Sequence, residues 1–408
     1  MNAGGGAAPP RPPHPASPPS ALGVAARPGT GGVAARPRPG GAAARSRTSG
    51  VAWWRLPFLA FGFVALAVAT GAGLARLAWP MPDVMAAAAA LHGPLMVCGF
   101  FGVVISLERA VAIGKPWAYA APLAAALGSA AALHGAEAAA PWLYLAGAAM
   151  LTLASADVLR RQREGFNVVI ALAAACWAVG TAAWAFGVPV LRAIPWWLAF
   201  LVLTIAGERL ELSRFVPRTP RAVRLFAAVV GLVFVGLVAW PWPAGPRLFG
   251  AALMALAGWL FANDLARRTV RTAGLTRFIA VCLLAGYGWL LAGGALIAAF
   301  GLVPGSAAYD AALHALSLGF VFSMVFGHAP VIFPAVLRVA VPYRRWFYAP
   351  LVLLHAAVAL RVGGAAAGSF TLRHGGALAS ALALAAFIVA MLTAVLGGRS
   401  SKARRTAG

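Results

Sequence analysis

Four histidines lie inside long apolar stretches of this sequence, where ionisable side chains are unusual. They are His92, His314, His328 and His355. Two of them share the stretch LHALSLGFVFSMVFGHAPVIFPAVLRV, which runs from Leu313 to Val339. Imidazole binds haem iron and copper, and it also relays protons or forms hydrogen bonds between helices. Because ionisable groups in apolar segments tend to be functional, these four residues are the first candidates for a site.

The composition defines the environment of these histidines. Of the 408 residues, 62% are hydrophobic and 10% are charged, and the mean hydropathy is +0.84. Such a chain is typical of a polytopic membrane protein. The net charge of +24 does not indicate nucleic-acid binding, because the basic residues form short clusters between apolar runs. The three cysteines are isolated, which argues against a disulfide framework or a structural zinc site; they are Cys98, Cys176 and Cys282.

Twelve apolar runs are each close to the ~20 residues that a helix needs to cross a bilayer. They lie at about 56–79, 84–107, 117–134, 139–159, 166–187, 195–212, 222–241, 247–265, 276–300, 308–337, 347–364 and 376–397. Helices are expected because a backbone in lipid must satisfy its own hydrogen bonds. The sequence therefore predicts an all-α polytopic membrane protein with about twelve transmembrane helices.

The basic residues give this topology a direction. With twelve spans, 28 of the 33 lysines and arginines fall on one side, together with both termini. The five exceptions are Arg76, Arg192, Arg247, Arg361 and Arg373. The positive-inside rule then predicts a multi-pass protein of the cytoplasmic membrane with both termini in the cytoplasm. Its basic side would face the anionic inner leaflet of the bilayer.

Three regions follow from the same pattern. Residues 1–54 are rich in Pro, Gly, Ala and Arg, which predicts a disordered cytoplasmic segment because few large apolar side chains can be buried. Residues 55–398 form the predicted transmembrane domain, and residues 399–408 form a basic cytoplasmic tail.

The topology also assigns a depth to each histidine. The second and tenth runs both start on the outer side, and His92 and His314 lie near their starts. His328 follows His314 by fourteen residues, or ~21 Å of helix, and about 40° around it, on the same face. His355, in the eleventh run, lies at a similar inner depth. The sequence thus predicts an outer pair, His92 with His314, and an inner pair, His328 with His355.

Two imidazoles that face each other from different helices can hold a haem between them. The four histidines are therefore candidate ligands for haem, and copper is a possible alternative, with Met96 and Met324 as soft ligands. Asp310 could hydrogen-bond to His314 and orient it. Each histidine could instead serve only as a hydrogen-bonding partner between helices.

A faint internal repeat links the same elements. The second and tenth runs each contain Leu-His followed by a phenylalanine eight residues beyond the histidine, at Phe100 and Phe322. The second and sixth runs both end in Glu-Arg, at Glu108 and Glu208, where the glutamates are predicted to form interfacial ion pairs. These similarities favour three groups of four helices.

The motifs LHGPLMVCGFFG and LHALSLGFVFSMVFGH resemble those of NnrS-type membrane proteins and, more distantly, subunit I of the haem–copper oxidases. The resemblance implies three four-helix arcs and a low-spin haem held by outer histidines of helices 2 and 10, which are His92 and His314 here. It also implies a role in nitric oxide stress. The sixth and seventh runs contain no histidine, so the binuclear-centre motifs of the oxidases are absent.

Two functions remain open from the sequence. The first is a haem- or copper-binding membrane protein related to nitric oxide stress or electron transfer, with an unidentified redox partner. The second is a twelve-helix secondary transporter whose histidines relay protons or bind substrate. The sequence does not decide whether the protein is an enzyme, although a terminal-oxidase reaction is not expected.

Overall fold

The computed structural model describes Met1, residues 51–214 and residues 216–406, with side chains up to Gly397. The predicted disorder of residues 1–54 falls mostly outside the described residues. Residues 51–54, the end of that predicted segment, contact the helical domain: the amide of Ala52 donates to the carbonyl of Leu337 at 3.0 Å. The predicted basic tail begins as helix, since the last helix continues to Thr406.

The described residues form mainly long helices and contain no strand. Their bounds are α1 Leu56–Ala75, α2 Asp83–Ile113, α3 Ala120–Leu133, α4 Ala140–Arg161, α5 Gly165–Ala185, α6 Val190–Leu212, α7 Pro220–Val238, α8 Ala244–Asn263, α9 Gly274–Phe300, α10 Ala307–Leu337, α11 Tyr348–Ala366 and α12 Phe370–Thr406.

Eleven of these helices are long and apolar enough to cross a membrane, so the chain is an all-α polytopic membrane protein. The exception is α3, with 14 residues. A 3₁₀ turn, Pro116–Tyr119, leads directly into α3. At about 2.0 Å per residue for the turn and 1.5 Å for the helix, the two together extend about 29 Å, close to the thickness of the hydrocarbon layer.

Large apolar side chains cover the outside of the helices. Val238, Val352 and Leu382 are all more than half exposed within the described residues. In water such a surface would drive association, whereas in a bilayer the lipid tails cover it. Small residues allow the helices to approach closely inside: a Cβ added to Gly250 on α8 would lie 2.5 Å from the carbonyl oxygen of Gly294 on α9.

Helices α2 and α10 each contain a π-helical segment that begins within three residues of His92 and His314, respectively. These segments are Leu95–Phe101 and Ala315–Phe322. The i→i+5 bonding of a π-helix widens the turn, so each residue advances by less than the 100° of an α-helix. The count that put His314 and His328 on one face of α10 assumed an uninterrupted α-helix and no longer applies.

The internal repeat of the sequence corresponds to a physical pairing. Phe100 of α2 and Phe322 of α10 stack with ring centroids 5.8 Å apart and planes at 4°. Both follow their histidine by eight residues, so the two helices meet through matching positions. Helix α1 packs beside α2 and also contacts α12, which brings four helices around this junction.

Candidate functional site

The structure brings the outer histidine pair together. The imidazole rings of His92 on α2 and His314 on α10 have centroids 6.3 Å apart, and their planes differ by 21°. The rings are too far apart for a direct hydrogen bond, and both are only partly buried. A small gap therefore separates two nearly parallel imidazoles.

Hydrogen bonds determine which nitrogen of each ring is free. The Nδ1 of His92 lies 2.7 Å from the carbonyl oxygen of Ala69, and the Nδ1 of His314 lies 2.7 Å from that of Asp310. A carbonyl can only accept, so each Nδ1 must carry the proton and donate it. In the neutral ring each Nε2 then has a lone pair, and neither Nε2 hydrogen-bonds to another residue in the described part of the chain. Two unprotonated nitrogens on neighbouring helices are a suitable pair of axial ligands.

A partly buried ion network fixes His314 from behind. The Asp310 carboxylate lies 3.2 Å from Nδ1 of His314 and accepts from Arg361 on α11 at 3.0 and 2.7 Å. Arg373 on α12 approaches the same carboxylate at 3.5 Å. A carboxylate behind an imidazole holds its tautomer and orientation, as in many metal sites. Asp310 was predicted in this position, but its two arginines were interpreted only as exceptions to the charge asymmetry.

Helix α1 sets the position of the other ring. Its Gly73 lies directly under His92: a Cβ at this glycine would be 2.7 Å from Cε1 and 2.9 Å from Nδ1 of the imidazole. The carbonyl of Ala69, one turn earlier on α1, accepts the Nδ1 proton. A larger residue at position 73 would displace the ring, so the site depends on a glycine that the sequence did not single out.

An apolar cavity of about 310 Å³ lies further along the same two helices. Its walls come from α1, α2, α10 and α12 and include the stacked Phe100 and Phe322. Phe63, Leu66 and Val325 also line it. On α2 and α10 the cavity begins eight residues beyond the outer histidines, at Phe100 and Phe322, and it favours an apolar group over water.

The two inner histidines belong to separate networks. The Nδ1 of His328 donates to the carbonyl of Met324 at 2.8 Å, and its Nε2 accepts from Arg209 Nη1 on α6 at 2.9 Å. Arg209 also donates from Nε to Asp264 at 3.0 Å, and Tyr287 on α9 donates to the same carboxylate at 2.7 Å. The lone pair of His328 is therefore already used inside a buried ion pair.

His355 on α11 is satisfied in a different way. Its Nδ1 accepts from the indole of Trp289 on α9 at 2.9 Å, so its proton is on Nε2. That nitrogen lies 3.3 Å from the hydroxyl of Ser323, which donates to the carbonyl of Cys282 at 2.7 Å. No ring contact or hydrogen bond joins His355 to His328 among the described residues. The predicted inner pair does not form in this geometry.

Met324, one of the two predicted sulfur ligands, is accounted for by packing. The methyl group of Met324 fills the space beside Gly286 on α9, so this side chain packs between helices. In the described residues, no three His, Cys, Asp or Glu side chains converge as a metal-ligand group. The outer pair is thus the arrangement with free nitrogen ligands.

Comparison with known proteins adds a family match to this geometry. A family model described as "Domain of unknown function (DUF8744)" matches residues 55–396. No curated protein and no solved structure matches the chain.

Proposed function

The chain belongs to the DUF8744 family, and from its outer histidine pair we propose that it is a haem-binding, NnrS-type integral membrane protein. The proposal rests on one observation: two imidazoles with free Nε2 atoms stand 6.3 Å apart, centroid to centroid, on α2 and α10. With metal–nitrogen bonds of ~2 Å, and each ring centre about 1 Å behind its nitrogen, two axial imidazoles are separated by about 6 Å.

The donor set favours haem over copper. A porphyrin supplies four equatorial nitrogens, so the protein needs to add only two axial ligands. A copper ion held by these histidines would need further ligands, and no third His, Cys, Asp or Glu side chain completes a metal-binding group here among the described residues. His92 and His314 are therefore the proposed ligands, and His328 and His355 are not included because their ring nitrogens are occupied.

Other residues of the site match the rest of a haem. The apolar cavity beyond the histidines suits its hydrophobic edge and substituents. The Nε of Arg373 is buried and has no hydrogen-bond partner, and it lies next to Asp310, which orients His314. An acidic substituent of the group would satisfy this donor. The protein would then keep Nε2 of both imidazoles unprotonated and would exclude water from the apolar cavity.

Bound haem would supply reversible one-electron redox chemistry. With His92 and His314 both holding the group, the site would suit electron transfer better than the binding of a gas ligand. A role in nitric oxide stress, which the resemblance to NnrS-type proteins implies, would then consist of supplying or removing electrons. We place the protein in the cytoplasmic membrane with both termini inside, on the strength of the charge asymmetry.

The transporter alternative predicts histidines that can exchange protons with a pathway. The inner histidines provide less support for it, because His328 is locked to Arg209 and His355 lies between Trp289 and Ser323. The outer pair has free nitrogens but is bound to carbonyls on its other side. Haem binding accounts for that arrangement more directly.

An absorption spectrum of the full chain tests the proposal. The protein is expressed with added haem precursor, purified in mild detergent and scanned before and after reduction with dithionite. We expect a Soret band and sharp visible bands in the reduced state, at about one haem per chain. A protein that purifies folded from haem-replete cells without any Soret absorbance would refute the haem site.

A further inference from the structure

A second cavity, of about 240 Å³, opens between α2, α4, α5 and α6. It is lined by Ile105, Glu108, Arg109, Ala112, Leu151, Ser155, Ile170, Ala174, Phe200, Thr204, Glu208 and Glu211. On each helix these residues recur at intervals of three or four, apart from the adjacent Glu108 and Arg109, so they lie on one face. Helices α2, α4 and α6 supply the polar side chains of this common space, and α5 supplies only apolar ones. The cavity does not include the outer histidines.

The glutamates at its wall have no ion-pair partner across the space. The sequence predicted interfacial pairs for Glu108 and Glu208, but within the described residues neither has an arginine or lysine nitrogen within 4.0 Å. Glu211 makes one long contact to Arg214, at 3.9 Å. Three carboxyl groups and the guanidinium of Arg109 line the cavity, so its formal charge with every group ionised is −2. Such a charge at the edge of an apolar bilayer attracts a cation.

An unpaired hydroxyl lies in the same wall. Ser155 is 2% exposed, and its Oγ has no hydrogen-bond partner in the described structure. A buried hydroxyl without a hydrogen-bond partner destabilises the folded protein unless a ligand or water completes its hydrogen bonding. Thr204, also buried, adds a second hydroxyl. The rest of the lining is apolar, notably Leu151 and Phe200.

From these contacts we propose that the cavity binds a small organic cation with N–H donors, such as a primary alkylammonium. The ammonium group would be held by Glu108 and Glu208 and would donate to the hydroxyl of Ser155. The alkyl part would lie against Leu151 and Phe200. A metal ion fits less well, because the three glutamates of the lining are not close enough together to form a metal-binding group in the described residues. The proposal is independent of haem binding, since it uses none of the same residues.

The test measures binding of n-butylammonium to the detergent-solubilised full chain by calorimetry and by the shift in melting temperature. Tetramethylammonium, which lacks N–H groups, and butyrate, which has the opposite charge, serve as ligand controls. We expect n-butylammonium to bind, tetramethylammonium to bind less well and butyrate not to bind. Glu108→Gln and Glu208→Gln should each weaken n-butylammonium binding by roughly tenfold or more, because a desolvated charge partner is lost.

Glu164→Gln, which removes an exposed carboxylate, is the matched control and should leave binding unchanged. If the glutamine variants do not fold, Ser155→Val keeps every charge, fills part of the space and should also weaken binding. Equal binding of the three ligands, absence of n-butylammonium binding, or unchanged affinity in folded Glu108→Gln, Glu208→Gln and Ser155→Val variants would overturn the proposal. Loss of the haem spectrum in His92 or His314 variants, with amine binding intact, would leave it standing.

Discussion

Replacing His314 with glycine is expected to remove one axial ligand and to lower the haem content of the purified protein by roughly tenfold or more. His92→Gly should have the same effect, since the two imidazoles lie 6.3 Å apart, centroid to centroid, and each Nε2 has no hydrogen-bond partner in the described residues. Any haem that remains should become five-coordinate. Free imidazole is small enough to occupy the space left by the side chain, so adding it should restore the six-coordinate spectrum.

The matched control is His134→Gly, which removes an exposed histidine at the end of α3. It should leave the haem content unchanged. A merely structural role for His314 would lower folded yield without any rescue by imidazole. Full haem content and an unaltered spectrum in both His92→Gly and His314→Gly would assign the cofactor to other ligands.

Asp264→Ala is expected to destabilise the protein by about 3–5 kcal/mol, because Arg209 would remain buried without its counter-charge. Arg209 and Asp264 are each 7% exposed, and their Nε–Oδ2 distance is 3.0 Å. The same carboxylate also accepts from the hydroxyl of Tyr287 and from the amide of Ala266, so both donors would lose their acceptor. The measurement is denaturant or thermal unfolding in detergent.

Asp157→Ala provides the comparison, because Asp157, like Asp264, lies a few residues before two consecutive arginines, here at the end of α4. The side chain of its partner Arg161 is 55% exposed, and the Nη2–Oδ2 distance is 2.6 Å. This exposed pair should contribute no more than about 1 kcal/mol. Equal losses of stability in the two variants would show that burial of the Arg209–Asp264 pair has no special effect.

Much of the outer site could be predicted from the sequence because its signals are local. Apolar runs and arginine clusters set helix direction, and direction places His92 and His314 at one depth near the starts of two helices. The phenylalanines eight residues beyond them proved to stack on each other. The tautomers followed only from the structure, since the accepting carbonyl of Ala69 belongs to a third helix.

The inner site could not be predicted in the same way. Equal depth does not make two side chains meet, because helix packing decides which residues face each other. His328 meets Arg209 of α6, a residue that the sequence interprets as one of many cytoplasmic arginines. The π-helical segment of α10 also shifts the angular position of everything beyond it. The residue pattern does not predict where the hydrogen bonding changes from α-helical to π-helical.

Electron paramagnetic resonance of the oxidised protein tests the central claim most directly, because it reports the axial ligands of haem iron and their relative orientation. Two histidines with ring planes 21° apart, as His92 and His314 are, predict a single low-spin species with the rhombic signal of near-parallel imidazoles. That signal should disappear in His92→Gly. A high-spin signal in the wild type, or a low-spin signal that persists in the His92 and His314 variants, would contradict the assignment.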